Sequence, residues 1–161
     1  MRTALTISLV TLLTLSILAQ QPKTAAPAAA TVKVVTAADL AAIVAKQPKD
    51  ANGFQPFIEL TPYSVGMEHR IKGQGAAIHE HDAELFYVID GSGTLVTGGK
   101  LVDEKRTNEA NLSGTAIQGG VSKKVSKGDW ILVPEGIAHQ FPTVEGLTLM
   151  SVHLPRAAAK N

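Results

Sequence analysis

The chain has 161 residues, no cysteine and a formal net charge of +1, a length that allows one domain with a substantial core but not two. The balanced charge and scattered aromatic residues exclude a basic or stacking surface for nucleic acid, so we expect no nucleic-acid partner. The lack of cysteine excludes disulfides, thiolate metal sites and a cysteine nucleophile.

The N-terminus is typical of a secretory signal peptide. Arg2 gives a positive start, and Ala4 to Ala19 is uncharged and apolar, which suits a signal's apolar region and is short for a membrane span. We predict a signal peptide over residues 1–19 and an exported protein, periplasmic or secreted, with no membrane contact once the signal is removed. An uncleaved N-terminal anchor is the alternative. Residues 20–31 are rich in Ala and Pro and predict a disordered linker.

A single folded domain is predicted over residues 32–161, beginning with a short helix. Thr36 suits the N-cap position, and Asp39 follows three residues later, near the positive end of the helix dipole. An apolar stripe at helical spacing lies within Leu40 to Val44, and Pro48 ends the helix.

From Phe57 onward, short apolar stretches alternate with turn residues, which predicts an all-β domain. We expect a hairpin turn at 90–93, a second turn at 127–129, and a long polar surface loop over residues 98–112. Strands are predicted near Phe57–Leu60, Tyr63–Arg70, Ala76–His81, Leu85–Ile89, Gly93–Val96, Thr115–Gln118, Ser122–Val125, Trp130–Val133, His139–Thr143 and Leu147–Leu154.

Spacing singles out two of the five histidines. In the strand ending at His81, alternation places His79 and His81 on one face, about 7 Å apart. Glu84 opens the next strand and shares a face with Phe86 and Val88. Two imidazoles and a carboxylate at an apolar wall are typical of a metal site.

A second segment supplies a third histidine. After Gly128 the chain has an apolar strand, a turn at Pro134-Glu135-Gly136, and then His139 at the start of the returning strand, with Phe141 on its face. The turn fixes the direction of His139.

These two segments resemble the two signature motifs of the cupin superfamily. The first motif is Gly, five residues, His-x-His, three or four residues, Glu, six residues and Gly; the second is Gly, five residues, Pro-x-Gly, two residues, His, three residues and Asn. The matching positions are Gly73, His79, His81, Glu84 and Gly91, and then Gly128, Pro134, Gly136 and His139, with Thr143 in place of Asn.

The resemblance implies a cupin-type double-stranded β-helix, or jelly-roll, barrel with a short N-terminal helix. It also implies one divalent metal ion held by His79, His81, Glu84 and His139. Three imidazoles with one carboxylate suit Fe, Mn, Ni or Zn, and the residue types leave the identity open.

The chain departs from the first motif in one spacing, because only two residues separate His81 from Glu84. Either the connection is tighter and all three side chains bind, or His79 takes the second histidine's place and His81 lies at the rim. In the latter case His69 could substitute as a ligand. Glu84 could also act as a hydrogen-bond acceptor rather than a ligand.

Other residues are pocket candidates. Phe86 and Phe141 are predicted to shape the pocket, and with Tyr87 they belong mainly to the core. For His69 and His153 we favour hydrogen-bonded core residues, although either could line the pocket.

Two functions remain open at this point. The first is a metal-dependent enzyme, of oxygenase or lyase type, that acts on a small oxygenated molecule, because four protein ligands leave an octahedral ion two open positions. The second is a non-catalytic module of the cell envelope that binds a small ligand or a metal. A purely structural barrel without metal is a third reading. The resemblance also implies a homodimer.

Overall fold

The computed structural model describes residues 32–156, and most of them lie in strands. The signal peptide predicted over residues 1–19 and the linker predicted over 20–31 lie outside the described residues. The elements are α1 (Ala37–Ala45), β1 (Gly53–Leu60), β2 (Tyr63–Arg70), β3 (Ala76–His79), β4 (Asp82–Thr97), β5 (Lys100–Val102), β6 (Lys105–Arg106), β7 (Asn111–Gly114), β8 (Ala116–Gln118), β9 (Val121–Ser126), β10 (Trp130–Val133) and β11 (His139–Pro155).

The helix begins as its sequence predicts. The Thr36 hydroxyl accepts a hydrogen bond from the backbone N–H of Asp39 at 3.2 Å, and the Asp39 carboxylate accepts one from the backbone N–H of Thr36 at 2.9 Å. This reciprocal capping box satisfies N–H groups that the first turn leaves without partners.

β5 and β8 form a two-stranded sheet, and the other strands form one continuous nine-stranded sheet. Its long antiparallel strands, β4 and β11, organise the barrel, because each contributes to two halves of this sheet, called here the first and the second sheet. In the first sheet the order is β1, β2, the second half of β11, the first half of β4, and β10. In the second sheet the order is β6, β7, β3, the first half of β11, the second half of β4, and β9. The two sheets face each other and enclose the core.

The bend between the two halves lies at a pair of glycines. Gly91 of β4 has φ 77° and Gly146 of β11 has φ 57°, a region that favours glycine. A Cβ on Gly91 would lie 2.2 Å from the carbonyl oxygen of Gly146, so the strands touch where they bend. The hairpin turn predicted at residues 90–93 is therefore wrong, since β4 continues through it.

Strand continuity accounts for the other differences. The predicted pair of strands near Leu85–Ile89 and Gly93–Val96 is the single strand β4, and the predicted pair that begins at His139 is the single strand β11.

Residues 98–112, predicted as a loop, contain β5, β6 and the start of β7. Their polar side chains are compatible with pairing because the ladder is made by backbone groups.

The core lies between the sheets and confirms the all-β, double-stranded β-helix class. Phe86, Val88, Leu147 and Leu149 project from the first sheet, and Leu95, Val125 and Phe141 from the second. Among residues 32–156, no helix is long and apolar enough to cross a membrane.

Candidate metal centre

Four side chains converge at one end of the barrel, two from each sheet. The Glu84 carboxylate is central. Its Oε2 lies 3.3 Å from Nε2 of His79 and 3.2 Å from Nε2 of His139, and its Oε1 lies 3.6 Å from Nε2 of His153. The same ring nitrogen of all three histidines therefore points toward one carboxylate.

The backbone places these residues with little freedom. Glu84 and His153 are direct partners across the β4–β11 ladder, and side chains of such partners share a face. His139 opens β11 directly after the Pro-x-Gly turn. The backbone N–H of Gly136 in that turn donates to the carbonyl oxygen of His79 at 2.7 Å, so the two motif segments are joined at the site.

Each histidine has an acceptor at its other ring nitrogen. The Nδ1 of His79 lies 2.7 Å from Asn111 Oδ1. The Nδ1 of His139 lies 3.2 Å from the carbonyl oxygen of Ile137, and the Nδ1 of His153 lies 2.9 Å from Asp82 Oδ2.

These partners decide the tautomers. A carbonyl or carboxylate oxygen only accepts, so Nδ1 carries the proton in each ring, and a neutral imidazole then has its lone pair on Nε2. Three such lone pairs around the Glu84 carboxylate repel it unless positive charge lies between them. A bound cation or added protons supply that charge. Metal-ligating histidines typically donate their second N–H to an oxygen in this way.

The ionisation of the cluster shows the same demand for positive charge. Burial is the largest single influence on the Glu84 carboxyl and raises its pKa, but the hydrogen bonds of His139 and His79 outweigh it, so that the pKa is lowered to about 2. The hydrogen bond to Glu84 raises the pKa of His79, against the opposing effect of burial. A carboxylate this buried is stable only beside cations.

The residues fit a metal ion. One ligand atom from each of His79, Glu84 and His153 lies within 4.8 Å of the others, and Nε2 of His139 faces the same carboxylate oxygen as His79. Imidazole and carboxylate ligands suit Fe, Mn, Ni and Zn, as the sequence predicted.

The structure does not bring His81 to this cluster. Strand β3 ends at His79, the chain bends at Glu80 and His81, and His81 is exposed. The alternation that predicted a shared face for His79 and His81 therefore stops one residue too early. The short spacing before Glu84 leaves His81 at the rim, and His153 rather than His69 completes the set of histidines.

Two pocket candidates lie elsewhere. Nδ1 of His69 lies 2.9 Å from the Thr148 hydroxyl, and both residues line a separate cavity beside α1. Tyr87 faces away from the core and lies against Trp130, with ring centroids 4.7 Å apart. His69 therefore makes the hydrogen bond that was favoured for it, whereas Tyr87 does not join the core. Strand alternation directs both side chains to the outer face.

Phe86 and Phe141 form the apolar floor behind the cluster. Both are fully buried, and their rings meet edge to face at 5.6 Å. The Phe86 ring lies 6.2 Å from the His139 ring. They hold the ligands from behind and do not line the cavity itself.

A cavity of about 400 Å³ opens beside the cluster, which is large enough for a small molecule. Its charged side chains, besides the ligands, are Glu68 and Arg70 of β2. The full lining consists of Asn52, Gly53, Phe54, Glu68, Arg70, Gln74, Gly75, Ala77, His79, Glu84, His139, Gln140 and His153.

Sequence reasoning did not assign His153 as a ligand, nor did it find Asp82, Asn111, Glu68 or Arg70. A signal for His153 was present, because alternation along β11 sets it on the face of the buried Leu147, Leu149 and Ser151. Asn111 and Arg70 have no such signal, since their roles depend on pairing between strands distant in sequence.

Comparison with known proteins agrees with this architecture. No protein-family model and no curated protein sequence matches the chain. A crystal structure of a Neisseria meningitidis protein is similar, with 12% identity, 76% of this chain and 99% of that chain covered, and a TM-score of 0.50. An uncharacterized Klebsiella pneumoniae protein with a double-stranded β-helix domain has 16% identity, coverage of 68% and 82%, and a TM-score of 0.47. The cupin domain of Schizosaccharomyces pombe Cnp3 has 13% identity, coverage of 64% and 60%, and a TM-score of 0.45.

At these identities the likeness concerns the fold alone. The pairing of β4 and β11 described above defines the class: the chain has a double-stranded β-helix fold. Its two motif segments resemble those of the cupin superfamily. The His/Glu cluster at the end of the barrel is a candidate metal centre within that fold.

Proposed function

We propose that the protein is a metal-dependent cupin enzyme, of oxygenase or lyase type, that acts on a small oxygenated molecule. His79, Glu84, His139 and His153 hold one divalent ion in this proposal. The observation that carries it is the arrangement of the three imidazoles, whose Nδ1 atoms all face oxygen acceptors while their Nε2 atoms all face Glu84.

A divalent ion in this position supplies Lewis-acid chemistry toward a substrate oxygen, or dioxygen chemistry if it is iron. The chain's own residues contribute orientation and exclusion of water. Phe86 and Phe141 keep one side of the cluster dry, and the acceptors behind the histidines hold each ring in one tautomer. The cavity lies on the open side.

The open side favours an enzyme or a binding site over a structural ion. A structural metal site is usually closed by four protein ligands with no approach for other molecules. Here His79 and His153 keep side-chain exposures of 20% and 28%, whereas His139 has 7%. The cluster is therefore accessible from the cavity that His79 and His153 line.

Two further elements of the proposal come from the sequence. The apolar segment that follows Arg2 supports export to the periplasm or the medium. The cupin resemblance supports a homodimer, for which light scattering after size-exclusion chromatography is the direct test.

The first experiment is metal content by elemental mass spectrometry on tag-free protein that starts near Thr31, purified beside His139→Ala and His153→Ala variants. We expect near-stoichiometric metal in the parent protein and little in either variant. His81→Ala is the matched control and should keep its metal. A parent protein that stays empty after exposure to Fe, Mn, Ni and Zn contradicts the proposal.

The second experiment separates an enzyme from a binding module. Product formation or oxygen consumption by the metal-loaded protein, lost in His139→Ala, supports the enzyme. Saturable binding of a small molecule without any product supports the non-catalytic module of the cell envelope.

A further inference from the structure

The cavity contains a second charged feature, Arg70, whose position is fixed by two contacts. Its guanidinium carbon lies 4.8 Å from the centroid of the Phe141 ring, and Nε donates to Glu68 Oε2 at 2.9 Å. One terminal nitrogen, Nη2, donates to the same oxygen. The side-chain exposures of Arg70 and Glu68 are both 12%, so the pair is mostly buried.

Glu68 occupies only one edge of the guanidinium. That edge is formed by Nε and Nη2, which share a single carboxylate oxygen. Within the described range 32–156, Nη1 makes no hydrogen bond, and Nη1 with the second N–H of Nη2 forms the other edge, which Glu68 does not occupy. Two parallel N–H groups at that edge match the two oxygens of a carboxylate.

Two other polar side chains that line the cavity make hydrogen bonds to the backbone. The amide nitrogen of Gln140 donates to the carbonyl oxygens of Gln74 and Thr115. The side chain of Asn52 is satisfied by the backbone of Ile71 and Lys72. Arg70 is the one cationic side chain, other than the histidines, among the residues of the range 32–156 that line the cavity.

We propose that the substrate or ligand is a small monocarboxylate, whose carboxylate group is bound by the free edge of Arg70 in the cavity shared with the metal ligands. This deepens the proposed function and rests on it for the divalent ion. Arg70 is a specificity-determining residue here, and Glu68 and Phe141 hold its plane.

The test measures the affinity of simple probes for the zinc-loaded protein by calorimetry. Lactate, glycolate and pyruvate are the carboxylates, and lactamide is the neutral match for lactate. The variant is Glu68→Gln with Arg70→Met, because removing both partners avoids leaving a buried charge without its counterion. Arg106→Met is the control, since Arg106 forms a similar pair with Glu80 outside the cavity.

We expect the carboxylates to bind the parent protein and the Arg106→Met variant equally, and lactamide to bind neither. The double variant should lose about tenfold to a hundredfold in carboxylate affinity. Arg70→Lys, which keeps the charge and loses the planar fork, should fall between the two. It also serves as the readout if the double variant does not fold.

Three results would overturn the inference. They are equal affinity for lactate and lactamide, carboxylate affinity unchanged by either Arg70 substitution, and no binding of any carboxylate to protein that holds its metal. Metal content, measured on the same samples, separates this inference from the proposed function. Protein that takes up no metal contradicts the metal centre, and carboxylate binding that still depends on Arg70 would then uphold the arginine site alone.

Discussion

Asn111 Oδ1 lies 2.7 Å from Nδ1 of His79, although the two residues are 32 positions apart. They face each other directly across the β3–β7 ladder. The orientation of the His79 ring is therefore set by a residue of β7, and not by the neighbours of His79 in sequence.

Replacing Asn111 with Ala should weaken metal binding without unfolding the protein. The His79 ring loses the acceptor that fixes its tautomer, and partners of this kind are worth about tenfold to a hundredfold in metal affinity. Competition with a chromophoric chelator measures the change. Asn108→Ala is the control, because Asn108 accepts from the backbone of Ala110 and does not touch a ligand. Equal affinity in the two variants would refute the role of Asn111.

His153 and His81 should respond oppositely to substitution. His153→Ala removes an imidazole that faces Glu84 at 3.6 Å, so we expect at least a tenfold loss of zinc affinity. His81→Ala changes an exposed ring at the bend after β3 and should leave the affinity within about twofold. Titration of both variants with zinc in the presence of a competing chelator measures this. Loss of metal in His81→Ala would instead favour the ligand set that the motif implies.

The contrast between these residues shows what sequence can predict here. Glu84 and His139 were predictable because each lies in a short segment whose strand or turn fixes its direction. His81 was misplaced because alternation was extended through a bend that only the two-residue spacing before Glu84 indicated. His153 was undervalued because its ladder partner, Glu84, is far away in sequence, and a ladder register is not visible in either strand alone.

The same limit applies to the fold. The apolar alternation predicted the strands other than β5, β6 and β7, which lie in or at the end of the predicted polar loop. The two motifs predicted the barrel. The continuity of β4 through Gly91 was not predicted, since an Asp-Gly-Ser-Gly sequence is also a good turn. Only its contact with Gly146 decides that the strand bends and continues.

The metal-free protein should have a stability maximum at mildly acidic pH. The pKa of His79 is raised above 6.5 in the folded state, so its contribution is fully present below pH 6.5 and is lost as pH rises through the folded pKa. The pKa of Glu84 is lowered from 4.5 to about 2, so its contribution is present above pH 4.5 and is lost toward pH 2. Stability should therefore be greatest between these limits.

With bound zinc, stability should rise rather than fall as the pH increases above 6.5. Protons compete with the metal for the imidazoles, so metal affinity rises with pH. Thermal unfolding from pH 4 to 9, with chelator and with excess zinc, measures both curves. The difference in Tm between them should grow above pH 6.5, and Glu84→Gln should abolish the maximum of the metal-free curve. If Tm changed with pH in the same way with chelator and with zinc, the binding of zinc by this cluster would be contradicted.

Phe86 should be important for stability as well as for the site. Its side chain is fully buried between Phe141 and His139, so Phe86→Ala should destabilise the fold by about 3–5 kcal/mol. Urea unfolding in the presence of chelator measures the free energy without the metal. Tyr87→Ala, at the next position on the outer face, should cost clearly less. A similar loss of unfolding free energy in both variants would contradict the assignment of Phe86 to the core and of Tyr87 to the outer face.

The four candidate ligands are contributed by β3, β4 and both ends of β11, and β11 is the last strand within residues 32–156. The complete cluster cannot form until β11 has paired with its neighbours in both sheets. In the proposed metal enzyme, uptake of the ion would therefore follow the pairing of β11. If the chain is exported unfolded, the ion that it carries is chosen by the metals available where folding finishes, and not by those in the compartment where the chain is made.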